Sequence, residues 1–149
     1  MRVTIVAVGR AQDEHLTALW ERYAGRLKPA PGLRVVEDKR RGPGGREREA
    51  ALILAQIPDG ATVVALDERG KVLDSAAFAR QLARWRDAGR ELVFAIGGAD
   101  GLDPTVLKRA ALTLSLSAMT WPHQLARVML VEQLYRADTI LSGHPYHRA

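Results

Sequence analysis

Several residues in this chain are of types that could do chemistry. Glu132 lies seven residues after Leu125 and three after Met129, on a helix face that is otherwise apolar. A carboxylate placed there is partly desolvated, its pKa rises unless a cation pairs with it, and it could accept a proton from a substrate. The structural alternative is an internal salt bridge to Arg127 or Arg136. Gly97-Gly98-x-x-Gly101 follows an apolar run. α/β proteins bind ligands on such turns, at the carboxyl ends of their strands. Spacing alone favours the plainer reading, a tight turn whose glycines supply positive φ. His144-x-x-His147 offers two imidazoles, but with no thiolate nearby they make a poor metal cage, and no metal is expected. His123, after Pro122 at a helix start, would serve as a ligand or as a polar cap. The run Lys39-Arg40-Arg41-Gly42-Pro43-Gly44-Gly45-Arg46 is either a phosphate contact or a solvated basic turn.

Other chemistries drop out. There is no cysteine, so thiolate catalysis, disulfides and Cys-ligated zinc are excluded. A cysteine-free chain suits a reducing cytoplasm, the compartment expected here. No Gly-x-Ser-x-Gly elbow supports serine hydrolysis. The glycine turn lacks the Lys-Ser or Lys-Thr of a P-loop and the G-x-G-x-x-G spacing of a dinucleotide site.

The elements that must position these residues alternate along the chain. Val3 to Val8 is a β-branched run suited to a strand buried on both faces, and it lacks the cleavage site of a signal peptide. Leu16, Leu19, Tyr23 and Leu27 recur at helical spacing before Pro29. Leu33 to Glu37 reads as a second strand, Arg46 to Ile57 as a helix and Thr62 to Leu66 as a third strand. Asp74 caps a helix with Phe78, Leu82 and Trp85 on one stripe. Leu92 to Ile96 is a fourth strand, Asp103-Pro104 opens a short helix, and Leu112 to Leu116 is a fifth strand. A long helix spans about Gln124 to Leu141, followed by a tail from Ser142 to Ala149. This alternation predicts one α/β domain over residues 1–149, with a mainly parallel sheet flanked by helices.

The last helix is apolar round most of its circumference, through Val128-Met129-Leu130-Val131, Leu134 and Tyr135. Such a helix needs cover on two sides, which predicts a homodimer. Lys and Arg number 22 against 17 Asp and Glu, a net charge of +5, and this excess favours a phosphate-rich partner. No uncharged apolar run approaches the roughly 18 residues of a membrane span.

Two segments carry a family resemblance. Phe94-Ala95-Ile96-Gly97-Gly98-Ala99-Asp100-Gly101-Leu102 resembles the glycine loop of the small SPOUT-class methyltransferases. Leu114 to His123, with Arg127, Glu132-Gln133-Leu134-Tyr135-Arg136-Ala137 and His144-Pro145-Tyr146-His147-Arg148, is similar to the signature of the bacterial 23S ribosomal RNA pseudouridine N3-methyltransferases, which act on position 1915. Val6-Ala7-Val8-Gly9 fits the same family's start.

The resemblance implies a SPOUT-type fold whose C-terminal part forms a trefoil knot, with S-adenosylmethionine bound in the knot. The implied cofactor residues are Leu66, Gly97, Gly98, Ser117, Ala118, Met119, Thr120, Trp121 and Pro122. Glu132 is the candidate for taking the N3 proton and Arg148 for stabilising the charge that develops. Tyr146 and His147 would stack on or hydrogen-bond the base. The resemblance also implies a homodimer acting on large-subunit rRNA or the ribosome. The tail, with little apolar content to pack it locally, could then complete the partner's site. Two alternatives are an RNA-binding module without catalysis and a nucleotide hydrolase, the latter lacking a nucleophile or metal cage.

Overall fold

The computed structural model describes residues 1–148, so the last residue of the expected domain lies outside it. The chain runs β1 (Val3–Val8), α1 (Glu14–Ala24), β2 (Gly32–Val36), α2 (Gly45–Ala55), β3 (Thr62–Val72), α3 (Ser75–Asp87), β4 (Leu92–Ile96), α4 (Pro104–Arg109), β5 (Leu112–Ser115) and α5 (His123–Ser142). The strands form one sheet in the order β2-β1-β4-β3-β5, and every neighbouring pair is parallel. All five carboxyl ends therefore open on one edge.

Side chains alternate across a strand, so each strand feeds two cores. Ile5 and Ala7 of β1 point to one face, where Phe78, Leu82, Leu130 and Leu134 of α3 and α5 cover them, with Trp20 of α1 at the margin. Val6 and Val8 point to the other, against Ile53 of α2 and Val106 of α4. Burial on both faces explains why β1 and β4 read as continuous apolar runs. Helices α1, α3 and α4 start at aspartates whose carboxylates accept backbone N–H groups: Asp13 from His15, Asp74 from Ala77, and Asp103 from Thr105.

The structure differs from the sequence reading in three places. β3 does not end at Leu66. It continues to Val72 after an excursion, and both Leu66 and Lys71 pair with Leu114 of β5. Gly70 allows this close pass, because a Cβ there would lie 2.7 Å from the carbonyl of Thr113. The cover for α5 comes in large part from α1, α3 and the sheet of the same chain, so burial of this helix does not by itself require a partner. The tail also packs locally. Gly143, at φ +77°, turns the chain back after α5, and the N–H of His144 donates to the carbonyl of Thr139 at 2.9 Å. Tyr146 then meets Tyr135 edge-on, with ring centroids 4.7 Å apart.

Candidate active site

A cavity of about 730 Å³ opens at the excursion of β3 and the carboxyl ends of β4 and β5. Its floor is the turn from Gly97 to Gly101, where the N–H of Gly101 donates to the carbonyl of Gly98 at 3.0 Å. A Cβ on Gly97 would lie 2.7 Å from the carbonyl of Gly101, and one on Gly98 would lie 3.1 Å from Cγ1 of Val8. Main chain is thus packed where side chains would otherwise stand. Leu66, Ile96, Leu114 and Leu116 form apolar walls, and the loop after β5 supplies Ser117, Met119, Thr120, Trp121 and Pro122. Every residue expected to hold the cofactor lines this space except Ala118.

The β3 excursion adds residues that the sequence reading did not include. Glu68 accepts a hydrogen bond from the Thr120 hydroxyl at 2.5 Å, joining the two rims. Asp67 pairs with Arg69 at 3.2 Å, and the hydrogen bonds from that guanidinium, working against burial, hold the Asp67 carboxyl below its usual range. Asp67-Glu68-Arg69-Gly70 looks like an ordinary polar turn, and only the reappearance of Lys71-Val72 hints that the strand resumes.

The first turn of α5 is stitched to the end of β1. Arg127 is buried, and its Nη2 donates to the carbonyls of Val8, at 2.8 Å, and Gly9. Gln124 donates to the carbonyl of Arg10 at 2.8 Å and accepts from the N–H of Gln12 at 3.3 Å. His123 begins α5 beside Gly9 and lines the cavity. Burial, and then the charge of Arg127, push its pKa down, which favours the neutral imidazole.

The residues expected to act on the base form a second cluster. Oε1 of Glu132 accepts from Arg136, with Nη2 at 2.7 Å and Nε at 2.9 Å, and from the Tyr146 hydroxyl at 3.2 Å. Among the described residues Oε2 meets only Gln133, at 3.3 Å. Nδ1 of His147 lies 3.1 Å from Nη1 of Arg136, and Arg136 also stacks over the Tyr146 ring. Of the two salt-bridge partners open to Glu132, the structure uses Arg136. Burial and the neighbouring Glu132 charge push the Tyr146 phenol up to about 12. Arg148 is exposed, with no ion pair among the described residues.

The two clusters are neighbours but do not merge. Glu132 lines a separate cavity of about 510 Å³ with Leu19, Tyr23, Phe78 and Met129, and Leu114 and Leu116 border both spaces. None of Glu132, Tyr146, His147 and Arg148 lines the first cavity. Among the described residues no three His, Asp or Glu side chains are grouped to hold a metal, and no helix is long and apolar enough to cross a membrane.

A family model described as "Predicted SPOUT methyltransferase" matches residues 1–147. The chain is 52% identical to the ribosomal RNA large subunit methyltransferase H of Paramagnetospirillum magneticum, across 99% of each chain. Its fold is similar to that of a probable methylase family protein from Haemophilus influenzae (TM-score 0.61, 11% identity, 99% of this chain and 70% of that one). It is also similar to the SpoU methyltransferase AviRb from Streptomyces viridochromogenes, solved in complex with AdoMet (TM-score 0.51, 14% identity, 92% and 58% of the two chains).

Proposed function

The chain belongs to the SPOUT methyltransferase family, and we propose that it transfers the methyl group of S-adenosylmethionine to N3 of pseudouridine 1915 in 23S ribosomal RNA. The observation that carries this reading is the cavity at the strand ends, which gathers residues assigned to the cofactor from three separate stretches of sequence. Its volume falls within the roughly 300–1,000 Å³ usual for small-molecule sites. The donor set suits the cofactor: main chain of the glycine turn for close approach, leucines for an adenine face, and Asp67 and Glu68 beside a cationic ligand. S-adenosylmethionine, when bound, supplies an electrophilic methyl group on a sulfonium. The trefoil knot of the family fold is part of this proposal.

The chain's own residues have two tasks. The first is positioning, since direct methyl transfer depends on in-line geometry. The second is removal of the N3 proton. Glu132 is suited to it because Arg136 and Tyr146 occupy Oε1, while Oε2 keeps capacity for a substrate proton. Tyr146, protonated at neutral pH, and His147 flank the position where a base would lie, and Arg148 is free to meet the negative charge developing on it. This cluster lies outside the cofactor cavity of its own chain, which supports a homodimer whose sites each combine one chain's cavity with the other chain's tail. The enzyme would act in the cytoplasm on the ribosome or its large subunit.

Titration calorimetry with S-adenosylmethionine and its demethylated product tests the cofactor. If neither binds at millimolar concentration, the reading fails. Mass analysis of 23S rRNA from a strain lacking the gene tests the substrate, and an unchanged level of N3-methylpseudouridine would overturn it.

A further inference from the structure

The basic run from Lys39 to Arg46 passes through the loop between β2 and α2 into the first turn of α2. Its Lys39, Arg40 and Arg41 are exposed, and among the described residues their side chains make no ion pair or hydrogen bond. The carboxylate next to them is already taken. Asp38 accepts Nε of Arg48 at 2.8 Å and the backbone N–H of Arg40 at 3.2 Å. The same guanidinium reaches across the loop and donates from Nη1 to the carbonyl of Pro43 at 2.8 Å. Arg48 therefore closes residues 38–48 into a ring and, among the described residues, leaves the side chains of Lys39, Arg40 and Arg41 without an ion-pair partner.

The ring is tied to the start of α4 and lies near the glycine turn. Arg46 meets Asp103, the cap of α4, at 3.7 Å, and a Cβ on Gly98 would lie 3.5 Å from Oε2 of Glu49. Because the sheet is parallel throughout, the carboxyl end of β2 lies on the edge where the cofactor cavity opens.

We propose that this loop is a preformed clamp for RNA backbone phosphates flanking the target nucleotide, with Lys39, Arg40 and Arg41 as its contacts and Arg48 as its positioning residue. The inference rests on the RNA substrate proposed above. Cations on a loop already held in one shape lose less freedom when they bind, and phosphates release counterions to them. A merely solvated turn would need no internal clasp.

The test is the affinity of the protein for purified ribosomes, measured between low and moderate salt for the unaltered chain, for Lys39→Ala/Arg40→Ala/Arg41→Ala, for Arg40→Lys/Arg41→Lys and for Arg48→Met. The triple variant is expected to bind at least about tenfold more weakly, with a log–log salt slope shallower by about 2, as loss of three phosphate contacts to single-stranded RNA requires. Its affinity for S-adenosylmethionine should not change. The lysine pair keeps the charge and should keep the slope. Arg48→Met should weaken binding while retaining the slope, because the cations remain but must be ordered. A triple variant with unaltered affinity and slope overturns the clamp, as does an unaltered chain that does not bind ribosomes. Unaltered Arg48→Met binding removes Arg48 from its role. Methyl transfer is not part of this readout, so intact salt-dependent binding without methylation would count against the proposed reaction and not against the clamp.

Discussion

Arg136 stands one helical turn after Glu132, and its Nη2 lies 2.7 Å from Oε1 of that carboxylate. Glu preceding Arg by four residues is the favourable order for such a pair on a helix. The same oxygen also receives Tyr146 from the returning tail. The salt bridge and the catalytic role considered for Glu132 are thus compatible, because the pairing is concentrated on one oxygen and orients the other.

Removing Arg136 should show how much this orientation contributes to the fold. The side chains of Arg136 and Glu132 are 25% and 18% exposed, so solvent relieves part of the loss. Arg136→Met is expected to destabilise the protein by about 1–3 kcal/mol, the range for an unsatisfied, partly buried polar group. Arg136→Lys should recover only part of this, since an ammonium cannot bring two N–H donors on separate nitrogens to Oε1. Urea unfolding at pH 7 measures both. Glu132→Gln should lower methyl transfer by about 10²- to 10⁴-fold, the usual effect of losing a general base, with cofactor affinity unchanged. Near-normal turnover would exclude Glu132 as the base.

Tyr146 gives the tail a pH dependence. Burial and the Glu132 charge raise its phenol from 10.0 to about 12 in the folded chain. The unfolded chain therefore loses this proton first, and the folded chain keeps it. The associated stabilisation is complete below pH 10 and is lost as the pH rises from about 10 to about 12. Denaturant unfolding from about pH 9 to about pH 11.5, which covers the onset and most of this window, should show stability falling as the pH rises, and Tyr146→Phe should remove that slope. An identical slope in the variant would show that the phenol titrates freely.

Much of the architecture was legible because periodicity and caps are local signals. Each strand with both faces buried is a continuous apolar run, and Asp74 and Asp103 mark helix starts by residue type alone. The extension of β3 was not legible, because Asp67 to Gly70 are polar and the pairing that resumes at Lys71 is with a strand more than forty residues later. The tail was misjudged for a similar reason. Its apolar content is low, but Gly143 reverses it onto α5, where Tyr135 and Glu132 receive Tyr146. Local composition does not show which distant surface a turn will reach.

The glycine turn offers a direct test of the cavity. A Cβ at Gly97 would stand 2.7 Å from the Gly101 carbonyl, backbone against backbone, so the turn must open to admit it. Gly97→Ala is expected to weaken S-adenosylmethionine binding more than tenfold by calorimetry, because the floor of the cavity is displaced. Gly60→Ala is a suitable control: it lies away from the cavity, and its positive φ of +81° makes alanine strained but not obstructed. It should cost about 1–2 kcal/mol of stability and leave cofactor affinity intact. Equal affinity in the Gly97 variant would separate this turn from the cofactor.

The separation of the two clusters within one chain leads to the last prediction, that each active site is composite. The tail packs on its own α5, so Glu132, Tyr146 and His147 travel together, yet none of them lines the cavity of their own chain. In a two-fold dimer, a cluster on the surface of one chain meets the equivalent surroundings on the other, so one seam can complete two sites. Arg148→Ala damages only the tail, and Gly98→Leu damages only the cavity, where a Cβ already approaches Val8 to 3.1 Å. Each variant homodimer should be inactive in methyl transfer. A trans arrangement gives the mixed dimer one working site, formed by the cavity of the Arg148→Ala chain and the tail of the Gly98→Leu chain. A cis arrangement gives it none, because each chain carries one defect in its only site. Co-expression with two different affinity tags isolates the mixed dimer, and its failure to recover activity would refute the composite site.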